Sequence, residues 1–160
     1  MPARAAELMT SHPVTVEMDD TLTTVREIFR NRPFHHLLVV EDGKLMGVLS
    51  NGDLQRAISH RIDTPNETAH DRASLNRRVH QVMSRQPVTL APDAELHEIV
   101  HAFGVHRFSI FPIVDEKGRL LGVLSWRDVF GALDTALWEH GQCVLCGQPH
   151  TSAHSEPERT

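Results

Sequence analysis

A chain of 160 residues with 40% apolar and 23% charged residues has the composition of one folded domain or of two very small ones. Its 16 lysines and arginines against 21 aspartates and glutamates leave a net charge of −5, with no long basic run to neutralise phosphates, which argues against duplex nucleic acid as a direct partner. No apolar run reaches the roughly 20 residues that span a bilayer, the N-terminus lacks a signal core, and both cysteines lie near the C-terminus, so the expectation is a cytoplasmic protein without disulfides.

Taken in order, the chain repeats itself. Met9-Thr10-Ser11-His12-Pro13-Val14-Thr15-Val16 returns as Met83-Ser84-Arg85-Gln86-Pro87-Val88-Thr89-Leu90, and Leu22, Val25 and Phe29 fall on Leu96, Ile99 and Phe103. Leu37 to Val40 then matches Phe111 to Val114. After one extra residue at Lys117, Gly47-Val48-Leu49-Ser50-Asn51-Gly52-Asp53 lands on Gly122-Val123-Leu124-Ser125-Trp126-Arg127-Asp128. A repeat kept in register at both apolar and turn positions implies two copies of one structural unit.

Within each copy the period switches in a fixed order. Val14-Thr15-Val16 reads as a short strand after a proline. Asp19-Asp20 offers helix-capping chemistry ahead of Leu22, Val25, Ile28 and Phe29 at helical spacing, as Pro92-Asp93 does in the second copy. Glu41-Asp42-Gly43-Lys44 is a turn between two apolar runs, hence a hairpin. A helix follows Asp53. The unit is strand, helix, strand, strand, helix, and the fold class expected is α/β, with two pseudo-symmetric repeats packed as one module because fifty residues make too small a core alone.

The division expected is a first repeat over 5–59, a polar connecting loop over 60–76, a second repeat over 77–137 and a polar tail over 138–160. The last helix should be the longer one, with Val129, Phe130, Leu133, Leu137 and Trp138 forming an apolar stripe that ends at Gly141. Thr151 to Thr160 reads as a disordered end.

The order of elements, the Met-Thr/Ser-x-x-Pro-Val-Thr opening, the Phe-Pro-Ile-Val-Asp run at 111–115 and the doubled Gly-apolar-x-Ser-x-x-Asp turn resemble paired cystathionine-β-synthase (CBS) domains, the Bateman module. The resemblance covers residues 5 to about 137. It implies a cleft between the repeats that takes AMP, ADP, ATP or S-adenosylmethionine, no required cofactor, and pairing of modules into a homodimer. It also implies that Thr10, Thr15, Ser84 and Thr89 face the cleft, with His35, His36, Arg107 and Ser109 near the phosphates or base. Independently of any family, Asp53 or Asp128 could accept both hydroxyls of a ribose, with Ser50 or Ser125 adding a contact. The same Ser-x-x-Asp spacing also caps a helix with no ligand present. Two departures from the family stand out: Leu38 replaces a usual proline, and Pro33 interrupts the segment before the first hairpin. Bulky Trp126, next to Ser125, is placed to narrow the second site or to stack over it.

The leading functional expectation is therefore a stand-alone regulatory module that modulates an unidentified partner protein. The alternatives are a structural dimerisation unit with no ligand and, more weakly, a metal-responsive protein using the Cys/His tail. Enzymatic motifs are absent: there is no Gly-x-Ser-x-Gly elbow, Gly-rich phosphate loop or His-Glu-x-x-His. Cys143, Cys146, His150 and His154 have spacing compatible with zinc, but such spacings arise readily in a chain with 12 histidines, and no metal is expected.

Overall fold

The computed structural model describes residues 3–139 and 142–143. The first repeat runs β2 (Thr15–Glu17), α2 (Leu22–Asn31), β3 (His36–Glu41), β4 (Lys44–Ser50) and α3 (Asn51–Ala57), preceded by α1 (Ala5–Leu8) and β1 (Thr10–Ser11). A connecting segment holds α4 (Ala69–Ala73). The second repeat runs β5 (Ser84–Arg85), α5 (Leu96–His106), β6 (Ile110–Val114), β7 (Leu120–Ser125) and α6 (Trp126–Leu137), followed by β8 (Trp138–Glu139) and β9 (Gln142–Cys143). The α/β class and the doubled order are as the periodicity predicts, except that β5 is the counterpart of β1 and the second copy's equivalent of β2 is reduced to one parallel bridge, Leu90 to Ile113.

Each hairpin places its apolar residues on a buried strand. Leu37, Leu38 and Val39 in β3, and Phe111 and Ile113 in β6, have essentially no exposed surface. Asp42 and Gly43 both have positive φ, the backbone of the two-residue turn that follows strand twist, and β3 pairs antiparallel with β4 through it. The tips of the two hairpins then join: Leu45 N–H donates to Gly118 O and Leu120 N–H to Gly43 O, each at 3.0 Å.

The two repeats exchange their leading segments. The four-stranded sheet has the order β2-β3-β4-β5, so β5 from the second copy closes the first copy's sheet. Reciprocally, β1 pairs with β7 in the sheet β1-β7-β6, with Leu90 bridged to Ile113 on the far side. Ala5 N–H donates to Ala94 O at 2.9 Å, and its counterpart Val79 N–H donates to Asp20 O at 2.9 Å. The cores follow the exchange. Val79 and Met83 are buried with Val16, Leu22, Val25, Leu49 and Leu54, while Ala5 is buried with Ile99, Ile113, Leu124 and Val129.

That exchange explains the glycine of the doubled motif. A Cβ on Gly47 would sit 2.6 Å from Ser84 O and 2.9 Å from Met83 Sδ; on Gly122 it would sit 2.6 Å from Met9 Sδ and 2.8 Å from Thr10 O. The close approach is to the other copy's backbone.

Several local expectations change. The cap of α2 is Thr21, whose hydroxyl accepts from Thr24 N–H at 3.5 Å; Asp20 instead accepts from Glu17 N–H at 2.8 Å. In the second copy Glu95 is the cap, and Glu98 reaches back to its N–H at 2.8 Å. Side chains at these positions are claimed by the turn before the helix, which a spacing rule does not register. The connecting segment is more than a loop. Its α4 is capped by Thr68, and Asp71 accepts from the Ser59 hydroxyl at 2.6 Å and from Thr68 Oγ1 at 2.7 Å. Asp63 binds Arg26 and Arg30 of α2, and Thr23 Oγ1 donates to Leu75 O at 3.3 Å, so this segment lies across the first copy's helix.

The stripe on α6 divides: Val129 and Leu133 join the core, whereas Phe130 is 62% exposed. Past α6, Trp138–Glu139 pairs with Gln142–Cys143 within what reads as an aperiodic tail. Gly141, Cys146, His150, His154 and Thr151 to Thr160 lie outside the described residues. Among the described residues no helix is long and apolar enough to cross a membrane.

Two outcomes follow. Gly47→Ala and Gly122→Ala should each cost about 1–3 kcal/mol in thermal or urea unfolding. Gly104→Ala, with open space around its Cβ on α5, should instead be neutral or stabilising by up to about 1 kcal/mol. The second concerns acid. Hydrogen bonds from Ser59, then Thr68, hold the Asp71 carboxyl at about 2, below its ordinary 3.8. A depressed carboxyl contributes stability above the ordinary value and loses it as pH falls through the folded one. Asp71→Asn should therefore lower the urea midpoint at neutral pH, with the gap to the parent closing as pH drops toward about 2.

Candidate ligand-binding cleft

Each doubled turn ends a strand and starts a helix. Ser50 caps α3: its hydroxyl accepts from Asp53 N–H at 3.1 Å, while Asp53 Oδ2 accepts from Ser50 N–H at 2.8 Å and Ser50 Oγ at 2.6 Å. Ser125 and Asp128 repeat the pattern at 2.7 Å from the N–H, 2.6 Å from the hydroxyl and 3.4 Å for the return bond. The capping reading of the motif is thus physically present in both copies. It consumes one carboxylate oxygen and fixes the rotamer of the other.

The second oxygen differs between copies. Asp53 Oδ1 accepts from the Arg56 guanidinium, one turn further along α3. Burial pushes the Asp53 carboxyl up, but the bonds from Ser50 and the Arg56 charge outweigh it and hold the group below its ordinary value. At the position equivalent to Arg56 the second copy has Gly131, and Asp128 Oδ1 has no hydrogen bond from a described residue.

Around these turns lie two cavities related by the repeat, of about 340 and 320 Å³. The first is lined by Val48, Ser50 and Asp53 of one copy, Ser84, Pro87 and Val88 of the exchanged segment, and Arg107, Phe108 and Ser109 ahead of β6. In the second, Val123, Ser125 and Asp128 meet Thr10, Pro13 and Val14, with Phe34 and His35 ahead of β3. His36 and its counterpart Ile110 line both. His36 Nε2 stands 3.5 Å from Ser109 Oγ, across the join. Burial, then neighbouring His35, lower the His36 imidazole below its ordinary 6.5, against the pull of Asp53.

The backbone ties each turn to the segment that faces the opposite cavity. Asn51 N–H donates to His35 O at 2.8 Å, and Trp126 N–H to Ser109 O at 3.3 Å. Val14 and Val88 are 38% and 39% exposed at equivalent positions, offering flat apolar wall beside a carboxylate. A concave, partly apolar site with a few convergent polar groups suits a planar heterocycle attached to a hydroxylated ring.

Of the residues nominated from sequence, the structure gathers Ser50, Asp53, Ser84, Arg107 and Ser109 around the first cavity and Thr10, His35, Ser125 and Asp128 around the second, with His36 shared. Thr15 and Thr89 line neither. Successive strand residues face opposite sides, so Val14 and Val88 turn to the cavities while Thr15 lies in a separate shallow recess with Leu120. Those valines, Pro13, Pro87, His12 and Ile110 were missed; the doubled Pro-Val was their one sequence signal. Trp126 does not narrow the second cavity. It stacks edge-on with Phe130 at 5.6 Å, under the Arg127 guanidinium, on the outer face of α6. No group of three or more metal-ligating side chains occurs among the described residues.

Two half-modules that trade their leading strands around paired clefts define a tandem-repeat module. The CBS domain family matches the chain over residues 5–60 and 79–135, and the chain belongs to that family. A CBS domain-containing protein of Dictyostelium discoideum is 28% identical over 135 residues, 83% of this chain and 92% of its own length. Other curated relatives are longer, and the chain spans 43% and 23% of two of them. Among solved structures, CBSX2 of Arabidopsis thaliana in complex with AMP superposes with a TM-score of 0.69 at 20% identity, covering 83% of this chain and 97% of that one. The CBS domain pair of protein MJ0100, in complex with 5′-methylthioadenosine and S-adenosylmethionine, gives 0.67 at 18% identity, covering 85% and 99%.

The two roles of the doubled turn separate by mutation. Ser50→Ala should cost about 0.5–2 kcal/mol in unfolding through loss of the cap. Arg56→Ala, whose side chain is 74% exposed, should move stability by less than about 1 kcal/mol.

Proposed function

We propose that the chain is a regulatory module that binds an adenosyl compound in the cavities between its repeats and passes that occupancy to a partner protein. The observation that carries this reading is the reciprocal construction of the two cavities. Each combines the Ser-x-x-Asp turn of one repeat with the exchanged segment and pre-hairpin residues that complete it, so a ligand contacts both halves at once. A molecule that bridges two packed units stabilises the packing it fits, and the coupling is as large as its preference for that packing. Ribose hydroxyls would be taken by Asp53 or Asp128, the base by Val88 or Val14, and phosphates by Arg107. AMP bound to CBSX2 and the two adenosyl compounds bound to MJ0100 support this ligand class; ADP and ATP are further candidates. In the first cavity the ligand must displace Arg56 from Asp53, a small cost for an exposed ion pair.

A homodimer belongs to the same reading. Val100 and Val105 of α5, and Trp126 and Phe130 of α6, leave the second copy's helices with exposed apolar side chains. A second module is the natural cover, and the partner's identity is left to its chemistry.

Calorimetric titration with AMP, ATP and S-adenosylmethionine tests the proposal. At least one should bind, and Asp53→Ala together with Asp128→Ala should abolish the heat while circular dichroism shows the fold intact. No heat from any adenosyl compound would leave the turns as helix caps alone.

A further inference from the structure

The two cavities are built alike but charged differently. Arg107 lines the first; the repeat places Pro33 at the equivalent position, and no lysine or arginine lines the second among the described residues. The aspartates differ in the same direction. Asp53 is neutralised by Arg56, whereas Gly131 stands at that place in α6 and brings no side chain to Asp128. The basic groups of the second cavity are His12, His35 and His36. Imidazoles exchange their charge between about pH 5 and 8, unlike a guanidinium.

Resting on the adenosyl reading above, we propose that the cavities sort ligands by charge: the first takes phosphorylated nucleosides through Arg107 at any neutral pH, and the second takes uncharged or cationic adenosyl compounds, accepting a phosphate only when His36 on the shared wall is protonated. The groups that act on those histidines are Asp128 within the second cavity, and Asp53 and Arg107 across the shared wall at His36. A neutral His36 leaves Asp128 to repel a phosphate dianion and attract a sulfonium. His36 is the one histidine that lines both cavities, and its burial and proximity to His35 favour the neutral ring in neutral solution. Its Nε2 also faces Ser109 at 3.5 Å, so a phosphate in the first cavity would compete for the same imidazole.

The test titrates AMP and adenosine into full-length chains with one cavity disabled, at about pH 5 and pH 8. With Asp128→Ala, the first cavity should prefer AMP by about tenfold or more at both values, and adding Arg107→Ala should remove that preference. With Asp53→Ala, the preference for AMP should fall by about tenfold or more between pH 5 and pH 8, since the hydrogen bond to a charged His36 is lost. The phosphate of AMP gains charge over that range, which strengthens its hold on Arg107 in the first cavity and its repulsion by Asp128 in the second, so the two cavities should trend in opposite directions. A second variant avoids the caps altogether: Pro33→Arg should give the second cavity an AMP preference that no longer depends on pH. An equal, pH-independent preference in both cavities, or no effect of Pro33→Arg, would overturn the charge sorting while leaving adenosyl binding intact. Absence of heat with both nucleosides in every folded variant would overturn the adenosyl reading itself, and this inference with it.

Discussion

The contact of each exchanged leading segment with a glycine of the opposite repeat is what the rest of the molecule depends on. Gly47 lets Ser84 O and Met83 pass where a Cβ would collide, and Gly122 does the same for Thr10 O and Met9. Because β5 closes one sheet and β1 the other, neither repeat completes its own core: Val79 and Met83 fill the first, Ala5 the second. The halves are therefore thermodynamically inseparable in a way that two neighbouring domains are not. The same exchange brings Ser84 and Thr10 beside the turns of the other copy, so the strand that completes the sheet also completes the cavity.

Helix capping occupies only one oxygen of each aspartate of the doubled turn. Asp53 and Asp128 each give one oxygen to the serine N–H and hydroxyl, which locks χ angles that a free aspartate would sample. The remaining oxygen is held in a cavity wall. A preorganised acceptor loses little entropy when a donor comes to it. What distinguishes the copies is a single residue one helical turn away: Arg56 covers Asp53, and Gly131 leaves Asp128 uncovered.

Symmetry is broken outside the cavities as well. The segment joining the repeats lies over α2 through Asp63 and Leu75, so the first copy's helix is partly covered by the chain itself. The second copy's helices carry exposed Val105, Phe130 and Trp126 instead. Arg26, held by Asp63 with its side chain 19% exposed, and Val100, 40% exposed, have the same place in the repeat.

Much of this was legible in the residues. The repeat in register, the Asp42-Gly43 turn, the buried runs at Leu37 to Val39 and Phe111 to Ile113, and the cap-forming Ser-x-x-Asp are local patterns, set by sterics and periodicity within a few residues. They determine the α/β class and the presence of two equivalent turns. The tertiary structure decided everything that depends on which segments meet. It showed that the motif glycines admit the other copy's backbone, that Val14 rather than Thr15 faces one of the paired cavities, that Trp126 turns outward, and that residues 60–76 lie across α2. No local pattern carries those facts, because a strand's partner and the face it presents are fixed only when distant segments close one shared core.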